Sequence, residues 1–566
     1  MDSRLRAMLR YNFVAHLECE SYLKVKIFAR KAPMKNLGVS ISSFADLING
    51  NFVYVDKTAF LYELVKNKGL YFLSRPRRFG KSLTCTTLDA LFKGKKELFK
   101  GLAISTMDYD WKEYPVIHIS FAGVAHKTDD ALIKSIKNTL IETALTYSIV
   151  LSADDELEDV FRVAIQSIYA QCGPVVVIID EYDKPMLDHI GDIAMIEKIQ
   201  TVMRSFYGVL KDNHVNSCLR FLFITGVSRF SKVSLFSELN NLEDISMNEK
   251  FATLCGYTQQ ELEDNFKEYI ARLAHEKNVS YKHILGDLKY WYNGFRFSDT
   301  GERVYNPFSI TNCLKEQKFQ NYWFTSGTPK FMLSALTDAP EDKRNELKEQ
   351  LLTLELQKVS EASVQNLNIA MMYENLLGLF LQTGYLTIKE YDDFACMYSL
   401  CYPNEEVRRS CTGQIMKEVA NMHLDKFATY IAKFRMALIK DDLDGFCSVM
   451  QTFMRLLPHN VIVNKEKFYQ SVFFTICKLL GIRMIVEDST DLGFIDGVIT
   501  TPEHVYVIEF KRDKTPEIAL AQIKKNNYSF KYVVESNLPV VHVGINFDLE
   551  DGKQIELRWK TEGFSL

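Results

Sequence analysis

The stretch that decides the fold runs from residue 70 to residue 83 and reads LYFLSRPRRFGKSL. It begins as a short apolar run typical of a strand and leads into KSLTCTTLDALF, which has helical spacing. Gly80, Lys81 and Ser82 therefore lie where a strand passes into a helix, the place where such residues cradle nucleotide phosphates. The full pattern G-x-x-x-x-G-K-S needs a glycine at the position of Arg75. We interpret the segment as a degenerate Walker A loop.

Each residue of this loop has an expected role. We expect Arg78, Phe79 and Gly80 to line the nucleotide, Lys81 to reach its β- and γ-phosphates, and Ser82 to bind Mg²⁺. Four cations, Arg75, Arg77, Arg78 and Lys81, fall within seven residues without an acid. They form either a solvated charge run or a group that neutralises phosphate, in this chain or at the nucleotide of a neighbouring subunit.

A second motif follows a buried strand. Residues 175–183 read VVVIIDEYD, a β-branched run that ends in adjacent carboxylates. We expect Asp180 to hold Mg²⁺ and Glu181 to polarise the water that attacks the γ-phosphate. The alternative is a strand that simply becomes polar where it leaves the sheet. Both motifs follow strands, and ligands of open α/β sheets bind at the carboxyl ends of the strands.

The surrounding pattern indicates an α/β fold. Further β-branched runs at 115–121 and 219–225 alternate with helical segments, which predicts a parallel sheet covered on both faces. From residue 248 to about 451 amphipathic helical stretches such as 258–277 and 428–440 predominate. At roughly 150 residues per domain, a chain of 566 residues predicts three or four units.

Composition narrows the class of protein. A hydrophobic fraction of 47% and a charged fraction of 25% exclude disordered, collagen-like and disulfide-scaffold proteins. A net charge of −4 disfavours a wholly cationic nucleic-acid-binding surface, although a local basic groove is compatible with it. The 11 cysteines contain no C-x-x-C pair, which indicates reduced thiols and no zinc site. The longest wholly apolar run is far shorter than a membrane span, so we predict no membrane insertion and a cytoplasmic location.

A second chemical constellation lies near the C-terminus. From residue 464 the pattern predicts the order α-β-β-β-α-β. Glu509 and Lys511 share one strand face, and a hairpin turn at 501–503 pairs residues whose numbers sum to about 1005, which places Asp496 opposite Glu509. Two carboxylates and the Phe510 carbonyl can bind Mg²⁺ while the lysine activates water, which is the chemistry of phosphodiester hydrolysis. The alternative is a solvent-facing cross-strand charge pair.

The N-terminal motifs resemble those of the bacterial AAA-ATPase-like family. The resemblance rests on LSRPRRFGKSL, VVVIIDEYDKP, FITGVSRFSKVSLFSELNNLEDI and the lid motifs YNGFRF and YNPFSI, and it covers roughly residues 36–330. Members of that family carry RPRRFGK[S/T] as their phosphate loop, so the missing first glycine is ordinary there. The resemblance implies that Thr225 or Ser228 senses the γ-phosphate and that Arg229 stabilises its charge.

The C-terminal segment resembles the PD-(D/E)XK nuclease superfamily over residues 467–546. The resemblance implies catalytic roles for Asp496, Glu509, Lys511 and Gln522, with Asp496 and Glu509 as metal ligands. Ile495 stands where the nominal motif has proline. Glu466 is either a further metal ligand or an ordinary exposed glutamate near a helix start.

These observations predict a P-loop, AAA-like parallel-sheet ATPase core with a helical lid and connector, followed by a restriction-endonuclease-like domain. The expected bounds are an extension at 1–35, the core at 36–245, the lid at 246–330, the connector at 331–455 and the nuclease-like domain at 456–566. The leading hypothesis is a protein that hydrolyses ATP and carries a Mg²⁺-dependent nuclease domain acting on DNA. A homo-oligomer is compatible with this hypothesis. The alternative is a nucleotide-gated signalling protein whose nuclease-like domain binds without cutting.

Overall fold

The structure is a computed structural model of the full chain. It describes residues 34–229, 241–325, 337–353, 356–365, 374–419, 424–456, 470, 472–474, 476–477, 483–490, 493–501, 503–535, 538–550 and 554–564. The expected N-terminal extension up to residue 33 and Glu466 lie outside the described residues. So do both ends of the helix expected after residue 464, although residues 470–477 are helical where they are described.

A parallel sheet forms the centre of the N-terminal half. Its described strands lie in the order β2-β3-β4-β1-β5, and all neighbouring pairs run parallel. All six positions of β3 are buried, so both faces of the sheet are covered, as the β-branched runs predicted. The strands are β1 (Gly69–Ser74), β2 (Val116–Ser120), β3 (Val175–Asp180), β4 (Leu219–Gly226) and β5 (Glu243–Asp244).

Helices connect these strands and cover the sheet. The strand-to-helix transition at the glycine-lysine-serine motif is confirmed, because the helix that follows β1 begins at Lys81. The helices of this half are α1 (Phe44–Asn49), α2 (Thr58–Val65), α3 (Lys81–Phe92), α4 (Asp129–Thr146), α5 (Leu157–Cys172), α6 (Lys184–Leu187), α7 (Ile193–Gly208) and α8 (Asn213–Cys218).

The lid has an apolar core of its own, formed by residues such as Leu262, Phe266 and Tyr292. Its first helix begins at a capping box in which Thr258 and Glu261 satisfy each other's backbone N–H groups. The predicted helix at 258–277 is thereby confirmed. The lid helices are α9 (Gln259–Lys277), α10 (Tyr281–Tyr292), α11 (Pro307–Glu316) and α12 (Tyr322–Thr325).

The connector contains helices, as predicted, and also a small sheet that the sequence analysis missed. The three strands of this sheet lie in the order β6-β8-β7 and pair antiparallel. These strands are short and half exposed, so the sequence shows no clear alternation of apolar and polar residues that would predict them. The elements are α13 (Glu341–Thr353), β6 (Val359–Ser360), α14 (Glu361–Gln365), α15 (Leu376–Thr383), β7 (Thr387–Asp392), β8 (Met397–Cys401), α16 (Glu405–Val419), α17 (Leu424–Ile439) and α18 (Leu443–Met454).

The C-terminal sheet has the order β13-β12-β11-β10-β9. The predicted hairpin register is confirmed, because the pairs from Gly497–Ile508 to Thr500–Val505 all sum to 1005. The β11–β12 pair is parallel, and a final strand that we did not predict adds to the edge. The elements are β9 (Arg483–Thr490), β10 (Gly493–Thr500), β11 (Val505–Arg512), α19 (Pro516–Lys525), α20 (Phe530–Glu535), β12 (Val540–Glu550) and β13 (Gln554–Phe564).

One continuous apolar core reaches from the parallel sheet through the connector to one face of the C-terminal sheet. At its far end Phe473 packs against Phe446 of α18, at 5.6 Å between ring centroids, and against Phe510 of β11, at 5.2 Å. The opposite face of this sheet packs separately, with α19 and α20. Within the described residues, no helix combines the length and apolar character needed to cross a membrane.

Candidate nucleotide and nuclease sites

The phosphate loop turns sharply before α3. Gly80 has φ = 93°, a left-handed conformation that glycine adopts without steric cost, and it precedes the first turn of the helix. The side chain of Lys81 is buried, and its Nζ donates to the carbonyl oxygens of Arg75 at 2.9 Å and Pro76 at 3.0 Å. Burial lowers the pKa of Lys81, and the nearby carboxylates of Glu181, Asp180 and Asp183 oppose that shift. The lysine is therefore held inside the loop, next to the acidic motif.

Arg75 has a structural role that differs from both expectations for the cationic cluster. Its side chain is only 1% exposed, and its two Nη atoms donate to the carbonyl oxygens of Ser74, Ser246 and Phe251. The guanidinium also lies 4.3 Å from the ring centroid of Phe297. Arg75 is thus neither a solvated charge nor part of the nucleotide cavity described below. These contacts give a structural reason for arginine in place of glycine at this position. The arginine side chain connects the start of the loop to the segment after β5 and to Phe297 of the lid.

The remaining loop residues face the lid. Phe79 is buried and packs edge-to-face on Phe295 at 4.7 Å and Phe297 at 5.3 Å between ring centroids. Arg78 is exposed, and its guanidinium lies 4.8 Å from the ring centroid of Phe308 in α11. The loop is therefore packed between the parallel sheet and the lid.

The acidic motif lies at the same edge of the sheet as the loop. Asp180 is 3% exposed, and burial raises its pKa, while a hydrogen bond from the Ser82 side chain and the charge of Lys81 oppose the shift. Its Oδ1 atom has no hydrogen-bond partner among the described residues. A buried carboxylate with a vacant acceptor beside a serine hydroxyl is the donor set that Mg²⁺ takes, so these residues fit the ion. Glu181 follows with φ = 54°, a left-handed conformation that is uncommon for a glutamate.

The structure separates the two candidate sensors. The hydroxyl of Ser228 donates to Asp183 Oδ2 at 2.6 Å, and the Ser228 and Val227 backbone N–H groups bind the same carboxylate. Thr225 is fully buried next to the loop strand, opposite Leu73, and its Oγ1 has no partner within the described part of the chain. The Ser228 hydroxyl is therefore occupied, whereas Thr225 does not line the cavity described below, and its sensor role stays a prediction.

Arg229 is paired with an acid outside the phosphate loop. Its Nη2 lies 2.6 Å from Asp244 Oδ2 in β5, and both side chains are almost completely buried. The role of Arg229 in stabilising a γ-phosphate is therefore not supported by its position. The expectation rested on its place after β4, whereas its ion-pair partner is 15 residues further along the chain.

A cavity of about 510 Å³ joins these elements, which is within the usual range for small-molecule sites. It is lined by the loop from Arg77 to Ser82 and by Glu181. Apolar and aromatic side chains, among them Val53, Tyr257 and Phe308, line it as well. A cavity that combines a phosphate loop with apolar and aromatic walls matches a molecule that has an anionic group and a planar base.

Two polar residues of this cavity, and a histidine that contacts one of them, were not predicted from the sequence. Lys184 and Asp188 line it, with 2.9 Å between Lys184 Nζ and Asp188 Oδ2. His126 Nε2 is also 2.9 Å from Asp188 Oδ2; burial raises the pKa of Asp188, but the contacts with Lys184 and His126 together outweigh it and lower the pKa. The lysine three residues after Glu181 was a readable signal, but the histidine comes from 62 residues upstream of Asp188. Trp323 also lines the cavity, and its Nε1 donates to the carbonyl oxygen of Arg77 at 3.0 Å.

Asp496, Glu509 and Lys511, the residues predicted for the nuclease site, lie on neighbouring positions of the hairpin. The hairpin brings Asp496 next to Phe510, whose backbone N–H donates to Asp496 Oδ2 at 2.8 Å. Lys511 Nζ lies 2.8 Å from Glu509 Oε1 and donates to the Phe510 carbonyl at 2.7 Å. Glu509 is only 2% exposed, whereas Lys511 is more accessible. The Phe510 carbonyl, an expected metal ligand, is thus occupied by the lysine.

The candidate metal ligands here are two carboxylates on adjacent strands. No group of three or more His, Cys, Asp or Glu side chains converges as a metal site within the described ranges. Two carboxylates beside a lysine still fit a hydrated Mg²⁺, because this ion usually keeps several waters and needs one or two carboxylates. Gln522 lies half-buried on α19, and its catalytic role stays a prediction.

Comparison with known proteins assigns families to both halves. A profile for the AAA-ATPase-like family, described as predicted AAA-ATPase, matches residues 38–236. A profile for the PD-(D/E)XK nuclease superfamily matches residues 464–557. Over 531 residues the chain is 34% identical to a protein of Azotobacter chroococcum mcd 1 described as "Uncharacterized protein in vnfD 5'region", and the match covers 91% of this chain and 96% of that protein.

Solved structures show only distant similarity. The ORC2 protein of Aeropyrum pernix in its ADPNP-ADP complexes is 11% identical, with a TM-score of 0.29 over 64% of this chain and 93% of that chain. Its ADP form is 10% identical, with a TM-score of 0.30 over 69% of this chain and 98% of that chain. These scores are too low to support any statement about function.

Proposed function

Because the chain belongs to the same family as the Azotobacter protein and joins an AAA-ATPase-like domain to a PD-(D/E)XK nuclease superfamily domain, we propose that it binds and hydrolyses ATP and cleaves DNA in a Mg²⁺-dependent reaction. Two observations support the two halves of this proposal. Lys81 and Glu181 line one cavity, and the Asp180 carboxylate is near enough to Lys81 to influence its pKa. Asp496, Glu509 and Lys511 meet at one hairpin. The second observation carries the nuclease assignment.

In the ATPase half, we assign phosphate binding, metal binding and activation of water to separate side chains. Lys81 exchanges its bonds to the loop carbonyls for the β- and γ-phosphates, and the N–H groups at the start of α3 bind phosphate oxygens. Ser82 and Asp180 would hold Mg²⁺, which offsets phosphate charge. Glu181 orients and polarises the attacking water, and Thr225 contacts the γ-phosphate.

In the nuclease half, Asp496 and Glu509 would hold the metal, whose chemistry is to lower the pKa of bound water and offset charge on the scissile phosphate. Lys511 pairs with Glu509 and is the more accessible of these two side chains, so we assign it to orienting water or contacting the phosphate. Its position on Glu509 keeps the ammonium at the site before substrate binds. Gln522 is assigned to positioning of the substrate phosphate.

DNA is the substrate class that we assign, and local cations are what support it. Exposed Lys514, Lys524 and Lys525 lie on the segments that follow the Glu509–Lys511 motif, while the whole chain has a net charge of only −4. Lys524 is paired with Glu562 at 2.7 Å, so these lysines add few free cations and predict modest non-specific binding that weakens with salt. Self-association and a cytoplasmic location remain predictions.

The test is cleavage of supercoiled plasmid by the full chain with Mg²⁺ and ATP, a non-hydrolysable ATP analogue or no nucleotide. We expect nicking or linearisation by the wild type and at least a hundredfold loss in Asp496→Ala and Lys511→Ala, both with unchanged phosphate release from ATP. Glu181→Gln should bind ATP normally and lose phosphate release. Hydrolysis of ATP without cleavage under any condition would contradict the nuclease half and leave a nucleotide-gated binding protein. Equal phosphate release by Glu181→Gln and the wild type would contradict the assigned role of Glu181.

A further inference from the structure

Three polar side chains form a connected group at the wall of the nucleotide cavity. Lys184 in α6 and Asp188 directly after it both line the cavity, with side chains 26% and 28% exposed. Lys184 Nζ lies 2.9 Å from Asp188 Oδ2, and His126 Nε2 lies 2.9 Å from the same oxygen atom. The lysine and the histidine therefore share one carboxylate oxygen.

The His126 ring lies between two oxygen atoms. Its Nδ1 is 2.7 Å from the carbonyl oxygen of Val124, while its Nε2 faces Asp188. Because both ring nitrogens face acceptors, only the doubly protonated ring donates to both of them. Burial acts to raise the pKa of Asp188, but its contacts with Lys184 and His126 lower it, so the acceptor is a carboxylate at neutral pH. The group then holds two cations on one acid.

The neighbouring acids have other positions. Glu181 also lines the cavity, and its carbonyl oxygen accepts from the Lys184 backbone N–H at 3.0 Å. Asp338 lies next to Gly191, beyond Asp188 along the chain. Within the described residues, Asp188 is the one acid that pairs with the Lys184 ammonium. Lys184 is therefore a cation at the cavity whose partner is shared with a histidine.

On the premise that the chain binds ATP as proposed above, we propose that Lys184 contacts the γ-phosphate and that Asp188 and His126 are positioning residues that set how readily it does so. The γ-phosphate is assigned because Lys184 begins the helix that follows Glu181, the residue assigned to the attacking water. Without nucleotide, Asp188 keeps the ammonium at the cavity wall. His126 weakens that ion pair, because it binds the same oxygen.

The shared oxygen also makes the exchange inexpensive. When Lys184 moves from Asp188 to a phosphate oxygen, the carboxylate keeps His126 as its partner, so no buried acid is left without a donor. ADP has no γ-phosphate and gives Lys184 nothing to exchange for. The group therefore favours the triphosphate over the diphosphate.

The experiment is titration of the full chain with ATP and with ADP, for single variants and for the same variants combined with Lys184→Met. We expect Asp188→Asn to tighten ATP binding and His126→Ala to weaken it, each about threefold, as suits a partly exposed ion pair. The signs are opposite because asparagine releases the lysine, whereas alanine leaves the carboxylate to the lysine alone. ADP binding should change little, and both effects on ATP should vanish in Lys184→Met.

A rescue separates positioning from a structural role. The double variant Asp188→Asn/His126→Ala should bind ATP as tightly as Asp188→Asn alone, because the histidine acts only through the carboxylate. Asp89→Asn is the matched control. Asp89 pairs with Lys93 at 2.7 Å and lies 3.9 Å from His118 Nδ1, but it does not line the cavity, so its loss should leave ATP binding unchanged.

The outcomes separate this inference from the proposed function. A wild-type chain that binds neither nucleotide would contradict ATP binding and with it this inference. A wild-type chain that binds ATP, with shifts of the same sign in Asp188→Asn and His126→Ala, would overturn this inference alone. So would shifts that persist in Lys184→Met or that Asp89→Asn reproduces.

Discussion

Arg75 Nη1 lies 2.7 Å from the carbonyl oxygen of Ser246, a residue 171 positions further along the chain. Arg75 also donates to the carbonyl oxygens of Ser74 and Phe251, so its side chain connects the phosphate loop to the segment that leads into the lid. Replacement by glycine, which would restore the usual Walker A pattern, should therefore harm the protein. We expect Arg75→Gly to lose about 3 kcal/mol or more of unfolding free energy, because three buried carbonyls lose their donor.

Thermal unfolding monitored by circular dichroism tests this expectation. Arg77→Gly is the matched control, since Arg77 is exposed in the same loop and should change Tm little. A glycine at position 75 that leaves Tm unchanged and tightens ATP binding would contradict the structural role of the arginine.

Lys184 should distinguish ATP from ADP. Lys184 lines the nucleotide cavity, and its Nζ pairs with Asp188, which His126 contacts in turn. We expect Lys184→Ala to weaken ATP binding about tenfold, since a charge-assisted contact contributes roughly 1.5–3 kcal/mol, and to affect ADP less. Titration with fluorescent ATP and ADP measures both affinities. Lys198→Ala on the exposed face of α7 is the control, and an equal loss for both nucleotides would exclude contact with the γ-phosphate.

Glu406 should make the stability of the lid depend on pH. Its fully buried carboxylate accepts hydrogen bonds from Ser309 Oγ and the Trp323 N–H, each at 2.7 Å, and burial raises its pKa to about 7. Since the folded chain keeps this proton to higher pH than the unfolded chain, the unfolding free energy falls as pH rises from about 4.5 to about 7. The full effect is on the order of 3 kcal/mol.

The comparison of wild type with Glu406→Gln isolates this group from other titrations. We expect the wild type to lose Tm relative to the variant between pH 5 and pH 8, because the glutamine does not ionise. Parallel Tm curves over that range would show that Glu406 does not titrate there.

Gln451 attaches the C-terminal sheet to the connector. Its Nε2 donates to the Ile555 carbonyl at 3.0 Å, and its Oε1 accepts from the Leu557 N–H, so one side chain completes the backbone pairing of the edge strand β13. We expect Gln451→Ala to raise amide hydrogen exchange across Gln554–Phe564 without changing ATP hydrolysis. Thr452→Ala, on the exposed side of the same helix, should leave exchange unchanged. Unaltered exchange in Gln451→Ala would mean that other contacts hold the strand.

The sequence predicted those features that depend on near neighbours along the chain. Short apolar and β-branched runs located β1 to β4, and a turn three residues long fixed the register that brings Asp496 to the strand of Glu509 and Lys511. Strand β13 was missed although Ile555, Leu557 and Trp559 alternate with polar residues, which is a readable signal of a half-buried strand.

Features that depend on distant partners could not be predicted. Arg75 looked like one of four loop cations, and only contacts with Ser246 and Phe251 show that it binds backbone carbonyls. Arg229 was expected at the phosphate because it follows β4, but β5 brings Asp244 beside it. Neither partner leaves a periodic or motif signal at the position of the arginine.

The continuous apolar core determines where the chain can be divided. The nuclease superfamily match begins at residue 464, yet Phe446 of α18 and Phe473 together cover the inner face of β11 at Phe510. A fragment that starts at residue 464 would leave this face without α18 and should aggregate. A fragment that starts at Leu424 keeps α17 and α18 over the sheet and is the better choice for expression of the nuclease-like part alone.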